Sequence, residues 1–573
     1  MTLGRAPAPE PVSPSQQPAA PSPRARRWPR LAVATQLADL EADAARGATH
    51  REWAEANKVP RSTSQNWVQR KAKIDGPAEW VTFFESPAGL AFLHRLVLTL
   101  LLVFSEMGPH GRRRVGFALE RMGLAPFLAI SDGSLHQLGT SLEEEIIAYE
   151  EHSRPALAAQ MAPKRITVCE DETFHPQTCL VAIEPVSNFI LLEKYVEKRD
   201  ADTWTAELRK GLEGLPVKVI QSTSDEGAGL LGHVRKDLGA HHSPDTFHIQ
   251  YDLSKATSLA LAAQVRRAEE AVADAIAAKE TLHENKREWI ASRSSRSEVI
   301  PDFAPRFAKA DKDQKSAEQA LDAARARQES AHKAVRGIGD DYHPVDLSTG
   351  SLLEPAEVGK KLEKHFDEAK AVALDADLGD QRLKLIAKAR KLLPALVSTL
   401  TFFWSEVAAR ITALGLTPDQ RRAVEQYLLP LAYLDLVATK ARDAAGCERL
   451  RDIASQLRAA PPALASALGL LPEQELARVY DVARECAAIF QRSSSCTEGR
   501  NGQLSLYHHG LHLLSDRKLR VLTILHNYFI QRPDGTTAAE RFFGKKPPDL
   551  FKWLLEHVAM PARPRSSPVA RAA

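Results

Sequence analysis

The sequence predicts an α+β multidomain protein: a mixed β-sheet core interrupted by a large all-α insertion and preceded by a helical N-terminal region. Three observations predict it. The hydrophobic period changes from helical to strand-like at Arg165. From about Leu253 to Gln491 it is helical again, with no strand pattern. Two of the β-branched runs end in acids, Asp171 and Asp225, and a third acid, Glu498, stands at the head of a helix beyond the insertion. A chain of 573 residues also exceeds what one ordinary core can hold.

Apolar residues make up 44% and charged residues 26%, as in globular proteins. A net charge of +3 neither supports nor excludes a nucleic-acid partner, so any such surface must come from local clusters of Lys and Arg. The five cysteines are widely spaced without a CxxC pair, which argues against a disulfide framework or zinc ribbon and for a reducing cytosol. The most apolar run, Ala88 to Phe104, is broken by His94 and Arg95 and reads as a buried helix rather than a membrane span.

In chain order, residues 1–30 are rich in Pro, Ala, Ser and Arg and read as a disordered basic tail. Residues 31–75 hold two short helices. The first covers Thr49 to Val59 with Trp53, Ala54 and Val59 inward; the second follows the turn Pro60-Arg-Ser-Thr63, is capped at Thr63, and turns Trp67 and Val68 inward. Such a pair is either a helix-turn-helix or a plain helical hairpin. In the helix-turn-helix reading Arg61, Ser62, Ser64, Gln65 and Asn66 face a major groove, and Arg70 and Lys71 add positive charge. Residues 76–161 are helical, a linker or dimerisation region.

Residues 162–252 read as Ile166 to Asp171, Thr178 to Glu184 and Phe189 to Val196 in a meander with a turn at Phe174-His-Pro176. A helix capped at Asp200, a strand from Val217 to Thr223, a helix from Gly227 to Leu238 and a short strand from Thr246 to Ile249 follow. The order βββαβαβ is that of the ribonuclease H-like fold, whose first and fourth strands are neighbours. Residues 253–491 form the insertion, opening with an antiparallel coiled-coil hairpin over 255–335. Residues 492–560 return to the core with an apolar helix from Val521 to Phe529, and 561–573 form a second tail.

Carboxylates brought together repel unless a cation joins them, and hard oxygen donors favour Mg2+ or Mn2+ over Zn2+. Asp171, Asp225 and Glu498 are therefore the expected ligands of two Mg2+ ions, with Mn2+ as substitute, acting in phosphoryl transfer. Each acid has a rival: Glu170 and Glu172 by a one-residue change of register, Glu226 beside Asp225, and Glu485 in place of Glu498. Arg500 and Asn501 are candidate phosphate contacts. Trp404 either stacks on a base or fills a core with Phe402 and Phe403; the core is favoured.

These residues resemble those of the DDE transposases, specifically bacterial insertion-sequence transposases with a helical insertion before the final Glu. The resemblance covers roughly Arg165 to Ile249 and Ser493 to Val558, with the N-terminal helix pair as a third element. Cys169-Glu-Asp171-Glu-Thr is similar to the first-strand acid, Ser222-Thr-Ser-Asp225-Glu-Gly to the fourth-strand acid, and Ser494-Ser-Cys-Thr-Glu498-Gly-Arg-Asn501 to the final acid with its nearby Asn. Asp245-Thr-Phe-His248 is similar to a D-x-x-H signature beyond the second acid, which makes His248 an accessory residue near the site or else a half-buried strand-end histidine. Asn527 to Gly544 is similar to the tail of such transposases.

The resemblance implies cleavage at transposon ends and transfer of the 3′-hydroxyl into target DNA. It further implies double-stranded DNA as partner, a homodimer or higher oligomer, and no membrane. A decayed, non-catalytic DNA-binding derivative and a nuclease without strand transfer are the alternatives.

Overall fold

Alternating apolar residues in four of the β-rich runs, and a short fifth strand, build a single five-stranded sheet in the order β3-β2-β1-β4-β5. The computed structural model describes residue 28, residues 30–71, 77–174, 177–292, 301–441, 443–511, 514–561 and residue 563. The expected tails and the His175-Pro176 turn lie largely or wholly outside the described residues. The chain divides into two compact units, Met1–Leu142 with Leu554–Ala573, and Glu143–Trp553.

The first unit opens with α1 (Arg30–Ala45), α2 (His50–Ala56) and α3 (Arg61–Arg70). Thr49 and Glu52 form a reciprocal capping box on α2, satisfying two otherwise orphaned N–H groups. Val33, Leu37, Trp53, Val59 and Trp67 close one small core, with Trp28 set edge-on to Trp67 at 5.4 Å. Two expectations are corrected here. Pro60, not Thr63, occupies the N-cap of α3, so the helix starts earlier and proline supplies the turn. Val68 is 48% exposed, because Ser64 and Trp67, three residues apart on one helix face, turn to the core and Val68 lies about 100° round from Trp67.

Helices α4 (Ala78–Phe84), α5 (Pro87–Leu100) and α6 (Arg112–Arg121) follow, and α7 (Asp132–Ala158) carries the chain into the second unit. A π-helical segment, Leu101–Glu106, extends α5. The stretches Pro87–Glu106 and Asp380–Thr412 are long and apolar enough to cross a membrane by length and composition alone. Leu93, Val97 and Leu98 of the first, and Leu396, Leu400 and Phe403 of the second, are buried in the protein.

In the second unit β1 (Lys164–Phe174), β2 (Thr178–Glu184) and β3 (Phe189–Val196) form the antiparallel half of the sheet. Helix α8 (Ala201–Leu212), capped by the Asp200 carboxylate accepting from the Thr203 amide, returns the chain to β4 (Val217–Ser224), parallel to β1. Helix α9 (Ala228–Gly232) runs on through a π-helical turn, His233–Leu238, to β5 (His241–Pro244). The fifth strand is thus earlier than the expected Thr246 to Ile249. Its His-His-Ser-Pro sequence has weak strand propensity and is held by parallel pairing to β4, whereas the β-branched run after it opens a helix.

That helix is α10 (Thr246–Ser292), 47 residues long, which pairs with α11 (Ala304–Asp341) as the expected antiparallel hairpin. Helices α12 (Pro355–Asp375), α13 (Asp380–Arg390), α14 (Leu393–Thr412), α15 (Pro418–Ala423), α16 (Leu429–Thr439), α17 (Ala444–Ala459) and α18 (Glu473–Ile489) complete the helical block. Its core is built around Tyr342, Phe366, Leu400, Phe403 and Tyr433.

The chain then rejoins the sheet through α19 (Ser495–Leu511), α20 (Asp516–Tyr528), α21 (Ala538–Phe543) and α22 (Leu550–His557). Cys179, Val181 and Ile183, alternate residues of β2, pack with Leu504, Leu519 and Leu522 of α19 and α20. Asn527 closes the free edge of β3: its Oδ1 accepts from the Ile190 amide at 2.9 Å and its Nδ2 donates to the Ile190 carbonyl at 3.0 Å. A side-chain amide thereby replaces the missing neighbouring strand.

Candidate metal centre

Strand alternation decides which acid of Glu170-Asp171-Glu172 can reach α19. Glu170 is fully buried with the Ser222 hydroxyl donating to it and His233 Nε2 at 3.4 Å. Glu172 accepts from Trp204 Nε1 at 3.1 Å and from Arg199 at 2.9 Å. Both are held from the α8 side, and Asp171, between them, accepts instead from Asn501 of α19 at 2.8 Å. The rival acids are thereby engaged elsewhere.

Glu498 and His248 meet Asp171 because the starts of α10 and α19 are tied together. The Thr246 amide and hydroxyl donate to the Arg492 carbonyl at 3.0 and 2.7 Å. The buried Asp245 carboxylate accepts from the Phe247 amide and the Ser494 hydroxyl. His248 lies in the first turn of α10, and Glu498 lies in the first turn of α19, where the helix dipole favours a carboxylate.

Among the described residues, Asp171, His248 and Glu498 form a group whose ligand atoms all lie within 4.8 Å of one another. His248 Nε2 sits 4.0 Å from Glu498 Oε1 and 3.9 Å from Asp245 Oδ2, and it is buried without a hydrogen-bond partner. Burial first, and then the charge of Glu498, push the Asp171 carboxyl up to about 7; Asp225 adds to the rise, while the Glu172 amide and His248 oppose it.

Asp225 flanks this group without belonging to it. Cys169 pairs with Thr223 across the parallel strands, and Asp171 and Asp225 each follow two residues later. The Asp225 Oδ1 accepts from the Gly227 amide at 3.0 Å, which turns the carboxylate toward its own loop. Glu226 faces His242 at 3.9 Å, and Glu485 pairs with Arg410 at 3.4 Å, so neither replaces the expected acids in the cluster.

Several sequence expectations change. Arg500 is not a phosphate contact: it is 4% exposed and donates through Nε and Nη2 to Glu193 at 2.7 and 2.6 Å. Burial opposes its charge, but Glu193 outweighs this and raises its pKa. Asn501 orients Asp171 rather than standing free for DNA. His248 is a full member of the cluster and lies on a helix, not at a strand end. Trp404 donates to the Leu353 carbonyl at 3.3 Å and packs edge-on against Phe403, so it serves the helical core. Glu193 went unread; a lone acid following Phe189-Ile-Leu-Leu in a strand was the available signal, since a buried charge requires a partner.

On α3, Ser64 is buried and bonded to His50 Nε2 at 2.8 Å, which removes it from any groove-facing surface. Arg61, Ser62 and Gln65 are exposed. Arg70 donates to Asn66 at 3.3 Å, and Lys71 pairs with Glu41 of α1.

A family of unknown function (DUF6399) matches residues 424–570. That stretch contains Glu498, Arg500 and Asn501 but not Asp171, Asp225 or His248. No curated protein and no solved structure matches the chain.

Proposed function

We propose that the protein is a DDE-type DNA transposase, with a ribonuclease H-like core, a helix-turn-helix in α2 and α3, and a helical insertion between β5 and α19. The observation that carries this reading is the convergence of Asp171, Glu498 and His248, from three separate segments, beside Asp225. Two carboxylates and a buried imidazole nitrogen lacking a hydrogen-bond partner make a donor set that fits a divalent cation. The oxygens suit Mg2+, and the imidazole admits Mn2+. Asp225, whose Oδ1 accepts from the Gly227 amide, would have to turn from its own loop to contribute to a second ion.

Asp171, Glu498 and His248 would hold one such ion and Asp225 would contribute to a second, and the bound ions would supply charge stabilisation to a reacting phosphodiester. Asn501 donates to Asp171 Oδ2 and the Glu172 amide donates to Oδ1 at 2.8 Å, so both oxygens are oriented by the protein. The Glu193–Arg500 pair holds α19 against β3, so Glu498 is presented from a rigid helix. Double-stranded DNA is the substrate: water attack releases a 3′-hydroxyl at an element end, and that hydroxyl attacks a target phosphodiester, forming one P–O bond as another breaks. Arg61, Ser62 and Gln65 on α3 are the exposed groups suited to base edges. Joining two ends requires at least two copies of the chain.

The test is a supercoiled plasmid carrying the DNA that flanks the gene, incubated with the protein and Mg2+ or Mn2+. End cleavage and joined products, both abolished by Asp171→Asn and Glu498→Gln, support the proposal. Cutting without joining points to a nuclease, and binding without metal-dependent cutting to a non-catalytic derivative.

A further inference from the structure

A second feature lies in the same unit and is made of other residues. A cavity of about 980 Å³ opens between the C-terminal end of α16, the first half of α17, the β2–β3 turn and the loop before α21. Its size is at the upper end of the range for small-molecule sites, roughly 300–1,000 Å³. Lys440, Arg451 and Arg532 line it, against the carboxylates Asp443 and Asp534.

The two acids already serve their own backbone. Asp443 caps α17 by accepting from the Gly446 amide at 2.6 Å, and Asp534 accepts from the Thr536 amide and hydroxyl at 2.8 and 2.7 Å. Among the described residues the three cations have no ion pair or side-chain hydrogen bond; the charge of Arg532 helps lower the Asp534 pKa without a direct contact, so three cationic groups face one space with that carboxylate nearby. Lys440 is solvent-accessible yet crowded by protein, and its pKa is lowered by burial first, with Cys169 and Cys496 opposing and Arg492 and Arg532 adding to the fall. Most of the remaining wall is apolar, including Val186, Leu436 and Ala438.

We propose that this cavity binds a phosphorylated ligand of nucleotide size, its phosphate against Lys440, Arg451 and Arg532 and its less polar part against the apolar wall. Arginine and lysine converging on one space match phosphate oxygens, and a mixed wall accommodates a base as well. The source is either a free nucleotide or a nucleotide unit of a nucleic-acid strand. The site does not depend on the metal centre, so it stands or falls separately from the transposase reading.

Cys447 lines the same cavity and provides a local reporter. The full chain, kept in EDTA, is titrated calorimetrically with adenosine 5′-monophosphate and separately with a short single-stranded oligonucleotide. Alkylation of Cys447 by iodoacetamide is followed by peptide mass spectrometry with and without each probe. Saturable binding of at least one probe, with a severalfold slower alkylation of Cys447, is expected. Lys440→Gln/Arg532→Gln should weaken binding at least tenfold and abolish the protection, whereas Asp171→Asn should change neither. Circular dichroism confirms that the double variant folds; should it not, Arg451→Gln alone serves, with a severalfold loss expected. Protection by the mononucleotide identifies a free nucleotide as the source, and protection by the oligonucleotide alone identifies a strand. Absence of saturable binding, binding that leaves Cys447 unprotected, or binding unchanged in the cation variants overturns the proposal.

Discussion

Asn501 Nδ2 donates to Asp171 Oδ2 at 2.8 Å, joining positions 330 residues apart. The bond fixes one carboxylate oxygen and thereby the direction of the other. Asn501→Ala should leave the fold intact and lower metal affinity and strand cleavage by roughly 10–100-fold, the usual effect of losing a group that orients a ligand. Calorimetric Mn2+ titration beside the cleavage assay checks this, and an unchanged affinity would count against the role.

Asp171 gives the metal-free protein a definite pH dependence. Its carboxyl rises from 3.8 to about 7 in the folded chain, so folding favours the protonated form. The stability this contributes is complete below about pH 4 and is lost as pH rises through about 7, by at most about 4 kcal/mol. In EDTA, the melting temperature of the native protein should fall between pH 4 and 8 relative to that of Asp171→Asn. Added Mn2+ should restore the loss at pH 8. A flat difference across this range contradicts the assignment.

The buried Arg500–Glu193 pair predicts an asymmetric mutational result. Arg500→Met leaves Glu193 buried and unpaired and should cost about 3–5 kcal/mol. The double variant Arg500→Met/Glu193→Leu should recover much of that, because two apolar groups need no partner. Chemical denaturation of both variants provides the check.

How much of this was legible in the sequence depended on whether a residue's role was local. Strands β2 and β3 could be bounded to the residue, because alternating apolar runs ended in turn residues on both sides. Strand β5 could not, since its His241-His-Ser-Pro run is held in place by β4 rather than by its own propensity. Asp171 and Glu498 stood out as acids where a strand or helix pattern begins or ends. The duties of Arg500, Asn501 and His248 did not, because the partners Glu193 and Asp171 lie far off in the chain, more than 300 residues for Arg500 and Asn501, and only the assembled sheet brings them together. Ser64 and Val68 exchange their expected burial because packing against α1 and α2, rather than the pattern within α3, decides which edge of the helix turns inward.

That exchange leads to a DNA-binding prediction. Arg61→Ala and Gln65→Ala should each weaken duplex binding severalfold with stability changed by less than about 0.5 kcal/mol, because both side chains are exposed. Trp67→Ala should instead unfold the three-helix core, at a cost of about 3–5 kcal/mol. Fluorescence anisotropy with duplex DNA, paired with thermal melts, separates the two effects.

Anomalous diffraction from crystals soaked in Mn2+ decides whether Asp171, Glu498 and His248 hold a divalent cation. A manganese peak coordinated by oxygens of Asp171 and Glu498 and by His248 Nε2, absent from Asp171→Asn crystals, is expected. A saturating soak that leaves this position empty, or a peak coordinated by other residues alone, would contradict it.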